Sequence, residues 1–184
     1  MPWPARSRAT TVADRRPRRL GIVLVALLVP IGAEGLSAAL PQPQLLYNPS
    51  PSLPIGYYLR VSAAPAKGRI IAFHVPPTGR AYATAHIPYV VRGSIIKPVA
   101  ATEGDRVCAD DHVTINGRIV GTIARIDRQG RALPHWRDCR VLRRDEYFVF
   151  SNRIPNSFDS RYYGPVARSD VIGTFRPLWT ETTL

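Results

Sequence analysis

The chain has 184 residues, enough for one modest domain and a terminal segment, and apolar residues make up 45% of it. Its 18 prolines and 13 glycines suit short strands joined by turns better than long helices. The net charge is +12, and the basic residues beyond the N-terminal tail are spread along the chain without a dense stripe, so we expect no nucleic acid partner. No Cys/His cluster has the spacing of a zinc site, and we expect neither a metal nor a cofactor.

The first 40 residues combine a basic tail with an apolar segment. Residues 1–19 contain six arginines and one aspartate, and residues 20–40 give 21 residues, about the length that spans a bilayer. The basic flank predicts that the N-terminal side stays in the cytoplasm, where anionic lipid headgroups attract it. Because Pro30 and Glu34 interrupt the apolar run, a cleaved signal peptide is the alternative. We expect an uncleaved single-pass membrane helix, followed by a domain at 41–184.

From residue 41 onward the sequence has the pattern of short β-strands. Stretches rich in aromatic and branched residues predict strands at 56–61, 69–75, 147–151 and 170–175. The Asn-Gly pair at 116–117, between segments 112–115 and 118–121, predicts a hairpin with a type I′ turn. Residues 127–140 predict a loop or an extended ribbon, and no segment after residue 41 has a convincing helical period. The expected fold is mainly β, with twisted, partly closed antiparallel sheets.

The two cysteines, Cys108 and Cys139, enclose 30 residues. In a cytosolic protein they would be two buried thiols, whereas an exported domain favours a disulfide between them. Closing such a loop would stabilise the fold by roughly 3–4 kcal/mol on the chain-entropy account.

The segment at 48–58 has the composition of a rigid turn. It contains three prolines and one glycine around Ser52, and proline restricts both its own backbone and that of the residue before it. Such a turn can present a serine hydroxyl with little loss of entropy. The alternative is a proline-rich linker that leaves the membrane.

Lys97 lies among the apolar residues Ile95, Ile96 and Val99. Only two of the 25 basic residues are lysines, and the other, Lys67, falls in a predicted turn at 66–68, where water should reach it. Desolvation lowers the pKa of a lysine, and a neutral amine can take a proton from a serine hydroxyl. The alternative places Lys97 on the polar face of an alternating strand.

The segment at 151–166 is dense in small polar residues, which predicts a turn. Asp159 and Arg161 could form an ion pair within it. On composition alone, bracing of the turn is the better interpretation of this pair than direct chemistry.

Three segments in order resemble the motifs of TraF-like conjugative-transfer serine peptidases, which belong to the type I signal peptidase superfamily. Residues 52–58 (SLPIGYY) resemble the SxPxGxY serine motif, and residues 97–117 are similar to the lysine motif and the hairpin after it. Residues 151–166 resemble the last motif, which ends in SxDSRYxGPV. The resemblance implies a Ser/Lys dyad on a signal-peptidase-like β fold that faces the outer side of a membrane.

The resemblance assigns roles to six positions of this sequence. Ser52 matches the nucleophile, Lys97 the general base, and Ser50 the hydroxyl that helps the Ser52 amide bind the oxyanion. Ser157 matches the residue that bonds the lysine and orients it. Asp159 and Arg161 match a supporting ion pair.

Three departures from the bacterial signal peptidase pattern favour the conjugation branch. Ser151 stands where a Gly-Asp pair is usual, Glu103 replaces a proline, and Pro98 follows the lysine in place of arginine. The resemblance then implies an enzyme of the inner membrane, with its domain in the periplasm, that processes an exported precursor. That precursor would be a pilin subunit, matured with cyclisation, and components of a conjugative or type IV secretion system would be partners.

Three alternatives remain open from the sequence. One is a general type I signal peptidase that removes signal peptides from many secreted proteins. Another is a membrane-anchored assembly subunit without catalysis. The third is a Ser-His-Asp triad, although none of the four histidines lies in a recognisable catalytic motif.

Overall fold

The computed structural model of the protein describes residues 42–181. The expected basic tail at 1–19 and membrane segment at 20–40 lie outside this range. Within it, none of the helices has both the length and the apolar character needed to cross a bilayer.

The described residues form eleven strands and a few short helices. In chain order the strands are β1 Leu45–Asn48, β2 Gly56–Val61, β3 Ile70–Phe73, β4 Ile95–Ala101, β5 Arg106–Ala109, β6 His112–Ile115, β7 Arg118–Thr122, β8 Asp138–Val141, β9 Glu146–Val149, β10 Val166–Ala167 and β11 Val171–Thr180. The helices are α1 Pro77–His86, α2 Pro88–Arg92 and α3 Ser160–Tyr163, with a 3-10 turn at Arg168–Asp170.

The strands pair in two antiparallel sheets. The larger sheet has the order β1-β2-β11-β3-β4-β9-β10, and the smaller has the order β7-β6-β5-β8. The prediction of a mainly β domain with antiparallel sheets is therefore confirmed. The predicted strands at 56–61, 69–75, 147–151 and 170–175 correspond to β2, β3, β9 and β11.

Strand β4 lies near the centre of the larger sheet, between β3 and β9. Five of its seven residues are buried, so it has apolar neighbours on both faces. Ile71 and Phe73 of β3, Val99 of β4 and Phe148 of β9 are fully or almost fully buried in the main core. A polar side chain on β4 therefore lies where there is little water, and Lys97 is such a side chain.

The smaller sheet contains the predicted hairpin and the disulfide. Asn116 and Gly117 have φ angles of 51° and 80°, as a type I′ turn requires, so this prediction is confirmed. Cys108 of β5 and Cys139 of β8 are direct partners across the two strands and are joined by a disulfide. The segment at 127–140 is irregular up to residue 137, and its end belongs to strand β8.

Helix α1 was not predicted, because no segment after residue 41 has a convincing helical period. Its sequence, PTGRAYATAH, has no apolar stripe, and it buries only Gly79 and Ala83. Tertiary contacts hold it instead: a Cβ on Gly79 would lie 2.9 Å from the Cβ of Tyr163, and the Thr78 hydroxyl donates to the Tyr163 carbonyl at 2.6 Å. A helix that packs through glycine and alanine leaves no signal in hydrophobic periodicity.

Candidate active site

Ser52 lies in the short loop between β1 and β2, which we call the serine loop (residues 49–55). The loop is closed at its far end by Gly56, whose φ is 144°. A Cβ at this position would lie 2.3 Å from the Trp179 carbonyl oxygen of β11, so the sheet register requires glycine here. The prolines that flank Ser52 restrict the loop further. Ser52 is 1% exposed, which shows that the loop folds into the domain and is not a linker.

Lys97 approaches Ser52 from strand β4. It pairs with Ile71 of β3, and only 5% of it is exposed. Its Nζ is in hydrogen-bond contact with Oγ of Ser52, although 45 residues separate the two. The larger sheet thus brings together the two residues that the sequence singled out for chemistry.

Burial sets the protonation state of the Lys97 amine. Desolvation lowers the pKa of Lys97 from 10.5 to about 8. Two nearby charges act in opposite directions and more weakly, since Asp159 raises this pKa and Arg161 lowers it. At pH 7 about one amine in ten is therefore uncharged, as a general base must be, compared with roughly one in three thousand for a lysine whose pKa is 10.5.

Ser50 lies beside the nucleophile candidate. Its Oγ is 2.9 Å from Oγ of Ser52 and accepts a hydrogen bond of 3.4 Å from the Ser52 amide. The Ser52 amide and the Ser50 hydroxyl are thus adjacent, as two donors to one oxyanion need to be. In this arrangement they contact each other.

Asp159 and Arg161 form the predicted ion pair, and it is buried. Their side chains are 0% and 3% exposed, and Nε of Arg161 donates to Oδ1 of Asp159 at 2.8 Å. The remaining donors of the guanidinium bond the carbonyls of Thr122, Pro155, Ser151 and Ser157. Asp159 also accepts from the amides of Ser151 and Arg161. The pair therefore braces the whole loop between β9 and α3.

Ser157 is placed differently from the expectation. Its Oγ is buried and has no hydrogen-bond partner among the described residues, so the expected bond to Lys97 is absent. Ser157 nevertheless lines the same cleft as Ser52 and Lys97. The Lys97 amine is directed at Ser52 instead.

Asn48 and Ser151 contact the serine loop, and sequence reasoning gave neither a role. Asn48 is 3% exposed and its side chain bonds backbone atoms of the loop, while the Ser151 hydroxyl donates to the Ser52 carbonyl. The Asn-Pro dipeptide at 48–49 is a turn signal that could have indicated Asn48. Ser151 carries no such signal, because its partner is 99 residues away.

The dyad opens on a cleft of about 490 Å³. The cleft is lined by residues of the serine loop, of β4, of α1 and α2, and of the loops after β7 and β9. Apolar side chains that include Ile95, Val90 and Phe158 line it, together with polar groups from Tyr82, His86 and the 127–131 segment. The cleft could accommodate an extended peptide segment beside Ser52.

The structure gives no support to a histidine triad. His86 lines the cleft, but its Nδ1 contacts a guanidinium nitrogen of Arg131 at 3.2 Å. His135 contacts Arg125 and Arg137. Among the described residues, no histidine is hydrogen-bonded to Ser52, and no group of His, Cys, Asp and Glu side chains could hold a metal ion.

Comparison with known proteins identifies relatives of the chain. The family model of signal peptidase, peptidase S26, matches residues 19–179. A plasmid transfer protein TraF of Escherichia coli is 34% identical over 144 residues, which are 72% of this chain and 81% of that protein. The conjugal transfer protein TraF of Agrobacterium tumefaciens (strain 15955) is 31% identical over 176 residues, 90% of this chain and 98% of that protein.

One solved structure shows a more distant likeness. The crystal structure of a signal peptidase I from Enterococcus faecalis V583 is 21% identical and covers 61% of this chain and 97% of that one, with a TM-score of 0.36. A score of that size supports no inference about this chain.

Proposed function

The chain belongs to the peptidase S26 family of signal peptidases and is a serine peptidase, and from this premise we propose that Ser52 is its nucleophile and Lys97 its general base. One observation carries the assignment: the only lysine buried among the described residues contacts the hydroxyl of a buried serine at the mouth of a peptide-sized cleft. The TraF relatives support a role in conjugative transfer.

Acylation follows from the dyad. The neutral Lys97 amine takes the proton of the Ser52 hydroxyl as Oγ attacks the carbonyl carbon of the scissile peptide bond. The tetrahedral intermediate collapses, and the ammonium of Lys97 returns the proton to the leaving amine. The products of this half-reaction are an ester on Ser52 and a free C-terminal fragment.

The developing oxyanion needs donors at Ser52. The Ser52 amide and the Ser50 hydroxyl lie 3.4 Å apart, so a substrate oxyanion placed beside both can accept from both once it replaces the weak contact between them. Each donor of this kind is worth about 3–4 kcal/mol in the transition state. The Asp159–Arg161 pair supports the loop that packs behind the dyad.

Deacylation ends the cycle in one of two ways. Water, activated by Lys97, releases a linear product, or an amine of the substrate attacks the ester and closes a ring. The two routes share the acyl-enzyme and differ only in the nucleophile. Cyclisation therefore requires the substrate's own terminal amine to attack the ester on Ser52 faster than water does.

We propose an exported pilin precursor of a conjugative system as the substrate. The support is the similarity to transfer proteins named TraF, over 81% and 98% of their lengths. By family resemblance, the residue before the scissile bond should have a small side chain such as that of alanine. A general signal peptidase is the second candidate, because the matching family model describes signal peptidases.

We further propose that the catalytic domain works in the periplasm, tethered to the inner membrane by residues 20–40. The Cys108–Cys139 disulfide supports this location, because disulfides persist in oxidising compartments and are rare in the cytosol.

Co-expression with a candidate pilin precursor tests the proposal. We expect the wild-type enzyme to shorten the precursor and the Ser52→Ala variant to leave it intact, as read by mass spectrometry, which also maps the cleavage site and separates linear from cyclic product. Equal cleavage of many unrelated secretory precursors would favour the general signal peptidase. Processing that persists with Ser52→Ala would overturn the assignment and favour a non-catalytic assembly subunit.

A further inference from the structure

The carbonyl oxygens of the serine loop are occupied by hydrogen-bond donors at five consecutive residues, 50–54. The donors are side chains from three parts of the chain: Asn48 at the end of β1, Tyr58 in β2, and Ser151 and Arg153 after β9. In an ordinary surface turn these carbonyls would bind water. Here they bond protein groups that are fixed elsewhere in the fold.

Asn48 bonds the loop at several points. Its Nδ2 lies within hydrogen-bond distance of the carbonyls of Ser50 at 2.8 Å, Pro54 at 3.2 Å and Leu53 at 3.4 Å, so two of these carbonyls share one of its two hydrogens. Its Oδ1 accepts from the Ser50 amide at 3.2 Å, which closes an Asx turn. The side-chain amide thus holds the two ends of the loop on either side of Ser52.

Ser151 holds the centre of the loop. Its Oγ donates to the Ser52 carbonyl, and its amide donates to Oδ2 of the buried Asp159 at 3.2 Å. Asp159 is fixed by Arg161. Ser151 therefore joins the rigid ion pair to the backbone of the nucleophile.

Carbonyl contacts also orient the amides, because each peptide unit is planar. The Pro51 carbonyl shares its plane with the Ser52 N–H, and Nε of Arg153 donates to that carbonyl at 3.3 Å. The Ser52 carbonyl, held by Ser151, shares its plane with the Leu53 N–H. A rotation of the Pro51–Ser52 peptide unit would exchange the Ser52 N–H for a carbonyl oxygen beside the reacting atom, where a carbonyl would repel the oxyanion. The Leu53 N–H donates to the Ser50 carbonyl at 3.3 Å, so the Ser151 contact holds the turn on which Ser52 lies.

We propose that Asn48 and Ser151 are positioning residues for Ser52: by binding the carbonyls of residues 50, 52, 53 and 54, on both sides of the nucleophile, they hold the backbone of the serine loop. The Ser52 hydroxyl then stays in contact with Lys97, and the Ser52 amide stays beside the Ser50 hydroxyl. The proposal rests on the role of Ser52 given above. Neither residue touches the reacting atoms, so both act on the turnover step more than on substrate binding.

The kinetics of Ser151 and Asn48 variants test this in the full-length enzyme in detergent. The substrate is the precursor whose cleavage site the co-expression experiment maps. We expect Ser151→Ala and Asn48→Asp to lower kcat about 10- to 100-fold with KM within about twofold. This loss is smaller than the roughly 100- to 1000-fold effect of removing an oxyanion donor, because the donors are displaced and not lost. Ser151→Thr, which keeps the hydroxyl, should recover most of kcat.

Thr78→Val is the matched control, because it also removes a hydroxyl that donates to a carbonyl but lies away from the serine loop. It should leave kcat within about twofold. Circular dichroism at the assay temperature gives the folded fraction by which each kcat is divided. If Ser151→Ala and Asn48→Asp keep wild-type kcat, or if Ser151→Thr is as slow as Ser151→Ala, the proposal fails.

The pH dependence of kcat in the variants distinguishes a displaced Ser52 from a cleft that has opened to water. In Ser151→Ala, which adds no charge, a mispositioned Ser52 lowers kcat and leaves the midpoint of the profile near that of the wild type. If water entered the cleft, the midpoint would move upward as the Lys97 amine became hydrated, and this outcome would overturn the proposal. Failure of the proposed function is distinguishable, because Ser52→Ala and Lys97→Arg would then be active in the same assay.

Discussion

The amine of Lys97 contacts the hydroxyl of Ser52. Lys97 lies on strand β4 near the centre of the larger sheet, and Ser52 lies in the loop between β1 and β2 at one edge of that sheet. Both residues are at least 95% buried. Water is therefore largely excluded from the contact, and charging the amine there costs free energy. This cost determines how the cleavage rate should depend on pH and how a substitution of Lys97 should change stability.

The pH dependence of cleavage should follow the protonation of Lys97. The pKa of this amine is lowered to about 8, so the active, neutral fraction rises with pH. We expect kcat/KM to rise about tenfold per pH unit below 8 and to level off above it, as measured on the precursor under first-order conditions. A rate that stays constant from pH 6 to 10 would contradict a lysine base.

Lys97→Met should stabilise the protein at neutral pH. Below about pH 8 the amine is charged in both the folded and the unfolded chain, and the lowering of its pKa from 10.5 corresponds to a cost of about 3 kcal/mol for burying that charge. Between pH 8 and 10.5 the unfolded chain binds more protons than the folded one, so the free energy of unfolding of the wild type rises with pH. The difference in stability between Lys97→Met and the wild type should therefore disappear by about pH 10.5.

Denaturant unfolding at pH 7 and pH 10.5 measures that gap. The control is Lys67→Met, which removes a lysine whose side chain is 55% exposed and paired with Asp105, and which should cost no more than about 1 kcal/mol. If Lys97→Met is less stable than the wild type at pH 7, the burial penalty assigned to Lys97 is wrong.

Removing one partner of the buried ion pair should be costly. Arg161→Met leaves the buried Asp159 carboxyl group without its guanidinium partner, and we expect the free energy of unfolding to fall by about 3–5 kcal/mol. Arg140→Met provides the comparison, since Arg140 is 27% exposed and pairs with a partly exposed Glu146, so its loss should cost about 1 kcal/mol. Equal losses in the two variants would show that burial of the pair does not govern its contribution.

Gly56→Ala should displace the serine loop from its position beside Lys97. The added Cβ would meet the Trp179 carbonyl oxygen at 2.3 Å in a backbone conformation that L-residues rarely adopt, so β2 and β11 could not keep their register. We expect the loss of both stability and activity. Gly68→Ala, with φ of 78° but no atom within 4 Å of the new Cβ, should cost about 1 kcal/mol and leave cleavage intact. An active, stable Gly56→Ala enzyme would refute the close-approach explanation of this glycine.

The disulfide should stabilise the smaller sheet without taking part in catalysis. Replacing Cys108 and Cys139 by serine opens a loop of 30 residues and should lower the free energy of unfolding by about 3–4 kcal/mol. Cleavage by the folded variant should persist, because Ser52 and Lys97 belong to the other sheet and its loop. A thiol reagent should label the native enzyme only after reduction, and full labelling without reductant would contradict the bond.

The contact between Lys97 and Ser52 was expected from the family motifs, because composition alone left a linker for Ser52 and a polar strand face for Lys97 as alternatives. The Asn-Gly turn was predictable from the sequence itself, because its backbone favours that pair. Helix α1 was missed since it packs through Gly79 and Ala83 and has no apolar stripe. The contact of Ser151 with the Ser52 carbonyl depends on the pairing of distant strands, which no local pattern contains.

Direct titration of the Lys97 amine is the sharpest test of a neutral lysine base. The chain has two lysines, so the Lys67→Arg variant, labelled with ¹³C-lysine, gives a single lysine side-chain signal in the NMR spectrum, that of Lys97. We predict that its Cε resonance titrates with a midpoint of about 8. A resonance that still reports a charged amine at pH 10 would contradict the mechanism, because the amine could not then accept the proton of Ser52.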